Sequence, residues 1–356
     1  MSDFLATTTT GDLGNLIKTY YDRKLLDVLD PTLRFYEFGE KKPCPNREGT
    51  SVIWNLPYKL DLGRILTQGQ GMTVSAMRNL STYAVSGIVN QYGDACAISD
   101  IASITAIVDV DTMGIERLGA QAALTIDRVI SNAIIHNVSS ATLKSHHLFK
   151  TSTEVTDYWG MTSTVSAGIM TVSSTNVIAV SDIKDAVFKL RGLNVMPYSG
   201  QDFIGILTTE QAADIAGDSD FISFNQYTKP AVDKLFNGEF GKLYGCRLID
   251  APQGPAMRGS NSGGTASTIA YGGVIFGKGF YGVTEWGGGL KTYTSNGATK
   301  SDPLNQFSTY GWKINFTSKV LNPSAGLVLW TGSNDTTAAY AESANSGLRQ
   351  EDPSSY

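Results

Sequence analysis

Cysteine and histidine are scarce: the 356 residues include three of each. Cys44, Cys96 and Cys246 lie far apart without C-x-x-C spacing, so neither a disulfide framework nor a zinc ribbon is indicated, and a reducing compartment is the simplest setting. His146 and His147 are adjacent, and adjacent side chains do not converge in regular structure. With His136 ten residues away, a solvated loop pair fits better than a metal site. Long apolar runs are missing too. No stretch approaches the roughly 18 apolar residues of a membrane helix, and the opening MSDFLATTTTGDLG lacks the basic and apolar regions of a signal peptide. The expectation is no membrane span and no export, which makes the Asn-x-Ser/Thr triplets at Asn79, Asn137, Asn315 and Asn334 chance matches. Charged residues make up 17%, against about 25% in ordinary domains, with a formal net charge of -5. That balance argues against a surface built chiefly to grip nucleic acid. A weakly charged surface is, however, easily buried against partners.

What is present is a series of periodic segments, long enough for about two domains of ordinary size. Leu16, Tyr20, Leu25 and Leu29 share a helical face that Asp30-Pro31 should end. FGEKKPCPNREGT then reads as an extended connection, so the N-terminal piece resembles an arm. From Val52 the period becomes 2: Val52, Trp54, Leu56, Tyr58, Leu60 and Leu62 alternate with polar residues, and a glycine-bearing tip, GRILTQGQGM, precedes a less regular return through Leu80, Tyr83 and Val85. Pro57 removes a backbone donor, so the outbound strand should be an edge or locally unpaired. Arms of about 20 residues at roughly 3.3 Å each reach about 60 Å, whereas a compact chain of this length has a radius of gyration near 20 Å. The tip should therefore stand clear of its own subunit.

A helix is expected from residue 112 to 136, with Leu118, Ala122, Ile126, Val129 and Ala133 as its stripe and Asp109 and Asp111 at its positive end. It suits a spine packed on a sheet. Residues 137–180 read as short strands and loops. Ser181 is an N-cap candidate for DIKDAVFKLRGLN; DFIGILTT follows as a buried strand and EQAADIAGD as a short helix. YGCRLIDAP and STIAYGGVIFG are further strands around a loop, QGPAMRGSNSGGTA. TYGWKINFTSKVL, with Tyr310, Trp312, Ile314, Phe316 and Val320 at period 2, is the clearest strand of the last third, and a flexible tail is expected after Trp330.

Motifs for chemistry fail on inspection. GKGFYG, Gly277 to Gly282, satisfies G-x-G-x-x-G, but VTEWGGGLKTY after it has no helical period to hold a pyrophosphate. Gly277-Lys278 and Gly241-Lys242 lack the Ser or Thr of a Walker loop, no G-x-S-x-G elbow exists, and DVD lacks the glycine and glutamate of a calcium loop. No catalytic, cofactor-binding or metal residue is assigned. Trp54 and Tyr58 could stack on bases, but packing fits the acidic chain better.

The order of elements resembles the major capsid protein of tailed bacteriophages, the Hong Kong 97-type fold. Five stretches are similar to the capsid family of N-four-like phages: YYDRKLLDVLDPTLRFYEFGEKKPCP, VNQYGDACAISDIASI, LGAQAALTIDRVI, VIFGKGFYGV and YGWKINFTSKVLN. The resemblance implies an α+β fold with an N-terminal arm (1–49), an extended β-hairpin loop (50–100), a peripheral domain with the spine helix (101–180), an axial domain (181–293), peripheral return strands (294–330) and a tail (331–356). It implies a non-enzymatic shell protein that assembles with itself as hexamers and pentamers around double-stranded DNA. Scaffolding, portal and decoration proteins would be partners, contact with the DNA would be weak, and the capsid would be assembled in the host cytoplasm. The expected contact residues are Tyr20, Tyr21 and Arg23 in the arm and Arg64, Gln68, Gln70 and Arg78 at the hairpin. Two alternatives stand beside it: the shell of a bacterial nanocompartment, and a nucleotide-dependent enzyme using Gly277 to Gly282.

Overall fold

A computed structural model of the chain describes residues 33–44, 49–60, 63, 78–107, 109–136, 147–150, 155–157, 172, 175–221, 239–252, 254–258, 269–285, 289–295, 303–304 and 306–333. The expected helix before Asp30 and most of the hairpin tip lie outside the described residues.

A short helix, α1 (Phe35–Phe38), and strand β1 (Glu40–Lys41) lead into a two-stranded antiparallel hairpin, β2 (Ser51–Pro57) with β3 (Thr82–Ile88), in register Trp54 opposite Val85. Pro57 closes β2, and a two-stranded ribbon leaves each strand an open edge, as the proline requires. Strand β4 (Asn90–Ser99) leaves the hairpin and pairs along β14 (Phe307–Val320), the longest described strand. Beside them, β12 (Tyr281–Glu285) and β13 (Lys291–Ser295) also pair with β14, and β1 adds to β12 in parallel.

Across this five-stranded sheet lies α3 (Val110–His136), which follows α2 (Asp100–Thr105). Its 27 residues span about 40 Å. Ile115, Leu118, Ala122, Ile126, Ile130 and Ile134 share one core with Tyr310, Trp312, Ile314 and Phe316 of β14, where period 3.6 meets period 2. The expected stripe leans slightly: Leu118, Ala122 and Ile126 are buried, while Val129 and Ala133 are half-buried beside Ile130 and Ile134. Asp109 starts the helix, its Oδ1 accepting from the Thr112 N–H (3.3 Å) and its Oδ2 from the Thr112 hydroxyl. These two bonds, the hydroxyl first, hold its carboxyl below the usual range.

The second sheet has eight strands in the order β6 (Val155–Asp157), β5 (His147–Lys150), β15 (Gly326–Thr331), β11 (Ile269–Phe276), β7 (Phe203–Thr208), β9 (Cys246–Ala251) and β8 (Glu239–Leu243), with β10 (Ala256–Arg258) also on β11. Helix α4 (Val180–Gly192) packs Ile183, Ala186, Val187 and Leu190 against its Phe203, Leu207, Leu248 and Leu329. Helix α5 (Thr209–Ala216) begins at Thr208, whose hydroxyl accepts from the Gln211 N–H at 3.3 Å.

Sheet membership departs from the order expected along the chain. Strands β12 and β13 join the β14 sheet, not the block before them, whereas β5, β6 and β15 join the second sheet. The chain crosses between sheets at residues 277–280 and 321–325: Gly277 N–H donates to Ala325 O, and Phe280 O accepts from the Leu321 N–H. A Cβ at Gly277 would stand 2.3 Å from Met196 O, so this crossing needs glycine. Four smaller expectations are corrected. Ser181 is inside α4; its start is held by Asp182, whose carboxylate accepts from the Ala179 N–H at 2.8 Å. Part of the expected loop QGPAMRGSNSGGTA is strand β10, because Ala256 finds a partner face against Tyr271. Residues 331–333, expected in the tail, are buried, with Gly332 bridged to Val177. His147 is no solvated loop residue: β5 runs beside β15, so its Nδ1 accepts from Trp330 Nε1 at 2.9 Å with the rings stacked.

Candidate assembly surfaces

The hairpin is anchored at its root. Val52 and Trp54 are buried with Leu321, flanked by Leu56, Val85, Val89 and Cys44. The Tyr83 hydroxyl donates to Leu321 O at 3.2 Å, and Gly87 lets the Trp54 ring close on the ribbon, since a Cβ there would sit 3.2 Å from the indole. Burial, and after it the Tyr58 phenol, raises the Tyr83 pKa. Beyond the root the apolar face continues without cover. Tyr58 and Leu60 are exposed, as are Leu80 just before β3 and Ile53 and Ile88 on the opposite face. The alternating apolar row is thus split: Trp54 is covered by its own subunit because Leu321 fills the crossing beneath it, Leu56 is half-buried, and Tyr58 and Leu60 stand in solvent.

Of the seven expected contact residues, Arg78 is described, and it is exposed where the return strand begins. Tyr20, Tyr21, Arg23, Arg64, Gln68 and Gln70 lie outside the described residues.

Sequence reasoning missed a second apolar surface. Ser99 caps α2 by accepting from the Ala102 N–H at 3.3 Å, and the helix then buries nothing. Ile101, Ile104 and Ile107 recur at a spacing of three, and all are exposed, Ile104 at 80%. Ser99 pairs with Phe307 and the Asp100 N–H donates to Gln306 O, so exposed Phe307 and Leu304 belong to the same end of the sheet. The signal was present as IASITAI, but an i, i+3 isoleucine pattern ordinarily reads as a core face. Charge differs between the two surfaces. Residues 90–116 contain Asp94, Asp100, Asp109, Asp111 and Glu116 and no Lys or Arg, whereas residues 51–89 contain Lys59, Arg64 and Arg78 against Asp61.

Chemistry has less purchase. Among the described residues no three His, Cys, Asp or Glu side chains gather as a metal site would require. The GKGFYG segment is the crossing between sheets, and strand β12 follows it where a phosphate cradle needs a helix. No described helix is long and apolar enough to cross a membrane.

A long helix laid on a β14-centred sheet, a second sheet entered and left through two crossings, and a hairpin rooted on the first make up a fold shared with tailed-phage capsid subunits. The capsid asymmetric unit of cyanophage Pam1 is similar with a TM-score of 0.63 at 16% identity, over 86% of this chain and 93% of that one. The capsid of Ralstonia phage GP4 gives 0.61 at 13% identity over 86% and 92%, and that of cyanophage P-SCSP1u gives 0.58 at 15% over 85% and 89%. No protein-family model matches the chain, and no curated protein does. The fold is therefore the Hong Kong 97-type capsid fold expected from the element order. The narrower likeness to N-four-like phages rests on the five quoted stretches alone.

Proposed function

We propose that the chain is a major capsid protein that assembles, as hexamers and pentamers, into the icosahedral shell around the double-stranded DNA of a tailed phage. The observation that carries the reading is a fold shared over 86% of the chain with a phage capsid subunit, combined with apolar surfaces that its own core leaves open. Assembly is multivalent: each copy makes several modest contacts, and ring closure turns the later ones into intramolecular events. The distal hairpin, with Tyr58, Leu60, Leu80 and the expected Arg64, Gln68, Gln70 and Arg78, reaches an adjacent copy, as do Tyr20, Tyr21 and Arg23 of the arm. Helix α2 and its isoleucines form a further contact. Opposite charge on the hairpin and around α2 favours their meeting and disfavours α2 against α2.

In this reading residues 1–49 act as the arm and the hairpin as the extended loop. A scaffolding protein and a portal complete the assembly in the host cytoplasm, decoration proteins can add to it, and the acidic chain touches packaged DNA only weakly. The protein is structural and catalyses nothing. Expression with and without a coexpressed scaffold, followed by sedimentation and negative-stain imaging, tests the proposal. Closed shells are expected, carrying DNA when isolated from infected cells. A chain that stays monomeric at every concentration, or small shells loaded with enzyme, would overturn it.

A further inference from the structure

The second sheet and its helices carry opposite charge at their two ends. Helix α4 spans the block over about 20 Å. Near its C-terminus Arg191 Nη2 donates to Tyr244 O, in the turn from β8 to β9, and at its start the Val180 N–H donates to Asp218, just past α5. At the turn end lie Lys189, Arg191, Lys242 and Arg247, and Lys59 of the hairpin donates to Leu193 O at 3.3 Å. Asp202, beside them, faces both Lys242 (2.7 Å) and Arg247 (3.6 Å). At the α5 end, residues 203–221 contain Glu210, Asp214, Asp218 and Asp220 and no Lys or Arg. Lys150 and Lys184, which approach that end from β5 and α4, are paired with Asp182 and Asp185.

The two ends also differ in shape. Phe188 is 53% exposed on the outer side of α4, and the Arg191 guanidinium stands 5.7 Å from its ring centroid while bonding to Tyr244 O at 3.3 Å. Tyr244 has φ +47°, a left-handed conformation that Asn or Gly adopts with less strain, and its ring is turned out to solvent. Phe, Arg and Tyr gathered in this way have the composition of an interface centre. The α5 end offers a smooth seat for them, because Ala213, Ala216 and Gly217 are exposed there between the acids.

We propose that the turn end of one copy, with Phe188, Arg191 and Tyr244, docks on the α5 end of a second copy, from Ala213 to Asp220, in a head-to-tail contact repeated around each ring. Each copy presents one end and receives the other, so the contact is heterologous and closes a ring where the rotation permits. Like charge disfavours turn end against turn end and α5 end against α5 end, which directs association away from a two-fold dimer. The contact presupposes the shell reading, in which copies close into rings, and specifies which surfaces of the second sheet meet.

Charge exchange in the full chain tests it, with light scattering reading the assembly threshold and circular dichroism the fold. Lys189→Glu with Arg191→Glu reverses one end, and Ser219→Lys with Asp220→Lys reverses the other. Either pair alone should raise the threshold at least about tenfold, and both pairs in one chain, where opposite charges face each other again, should return it to within about threefold of the parent. In an equimolar mixture of the two singly reversed chains, favourable contacts form only where the chains alternate, so negative-stain images should show six-membered rings and no five-membered ones. Single reversals that leave the threshold unchanged, or a doubly reversed chain that assembles as poorly as either, would overturn the contact and leave the shell reading standing; a parent that never assembles would overturn both. Should the Arg191 reversal unfold the turn, Phe188→Ser decides: a threshold raised at least about threefold at unchanged melting temperature supports the contact, and an unchanged threshold refutes it.

Discussion

Replacing Leu60 and Leu80 together by serine separates folding from assembly. Both residues flank the far end of the paired ribbon, where the Tyr58 N–H donates to Ser81 O, and they are 61% and 70% exposed. Neither fills a core, so unfolding free energy should move by no more than about 0.5 kcal/mol. In the proposed assembly a neighbouring copy would cover the remaining two thirds of each side chain. Full burial of a leucine contributes about 1.5–3 kcal/mol, so this coverage contributes about 1–2 kcal/mol per residue and about 2–4 for the pair. At 1.4 kcal/mol per decade the contact weakens roughly 30- to 1000-fold. Light scattering against protein concentration reads the assembly threshold, and circular dichroism on the same samples reads the fold. The threshold should rise at least tenfold at constant melting temperature. An unchanged threshold with the fold intact would refute the role of the distal hairpin, and a large fall in melting temperature would show that the leucines pack within the subunit.

Trp54→Ala should lower stability by about 3–5 kcal/mol in urea unfolding, because the indole fills the space between Val52 and Leu321; a change below 1 kcal/mol would contradict the anchored root. Ile101→Ser with Ile104→Ser should leave the melting temperature unchanged while raising the assembly threshold, and an unaltered threshold would remove α2 from the contact set. Asp127→Asn should change stability with pH. The folded state binds the extra proton between about 4 and 7, so the parent loses stability across that window and the variant does not. About three pK units at 1.36 kcal/mol each bound the parent's loss to about 4 kcal/mol between pH 4 and 7.5, and a parent whose urea-unfolding free energy is flat across that window would contradict the burial of this carboxyl.

Local elements were readable where a period ran unbroken. Tyr310, Trp312, Ile314 and Phe316 announced β14, and the Leu118, Ala122, Ile126 stripe announced α3, because each pattern reports one face buried along one element. Pairing between distant strands leaves no such trace. Nothing in GLVLWT says that it will lie between β5 and β11, since a strand buried on both faces looks alike in either sheet. His147 was misplaced for the same reason: its polarity suggested solvent, while the acceptor that Trp330 requires is set by β5 lying parallel to β15. The surfaces were half readable. The paired root of the hairpin showed in the alternation from Val52, but where cover ends depended on Leu321, more than 250 residues away in sequence. Ile101 and Ile104 carry a core-like pattern, but α2 turns only half-buried Ala102 toward the core, and only the fold reveals that.

The most direct test of the account is a cryo-electron microscopy reconstruction of particles assembled from the full chain. The account predicts closed icosahedral shells of hexamers and pentamers in which the distal hairpin, with Leu60 and Leu80, lies on a neighbouring copy. Shells in which each hairpin contacts only its own subunit, or a protein that forms no shell under any assembly condition, would contradict it.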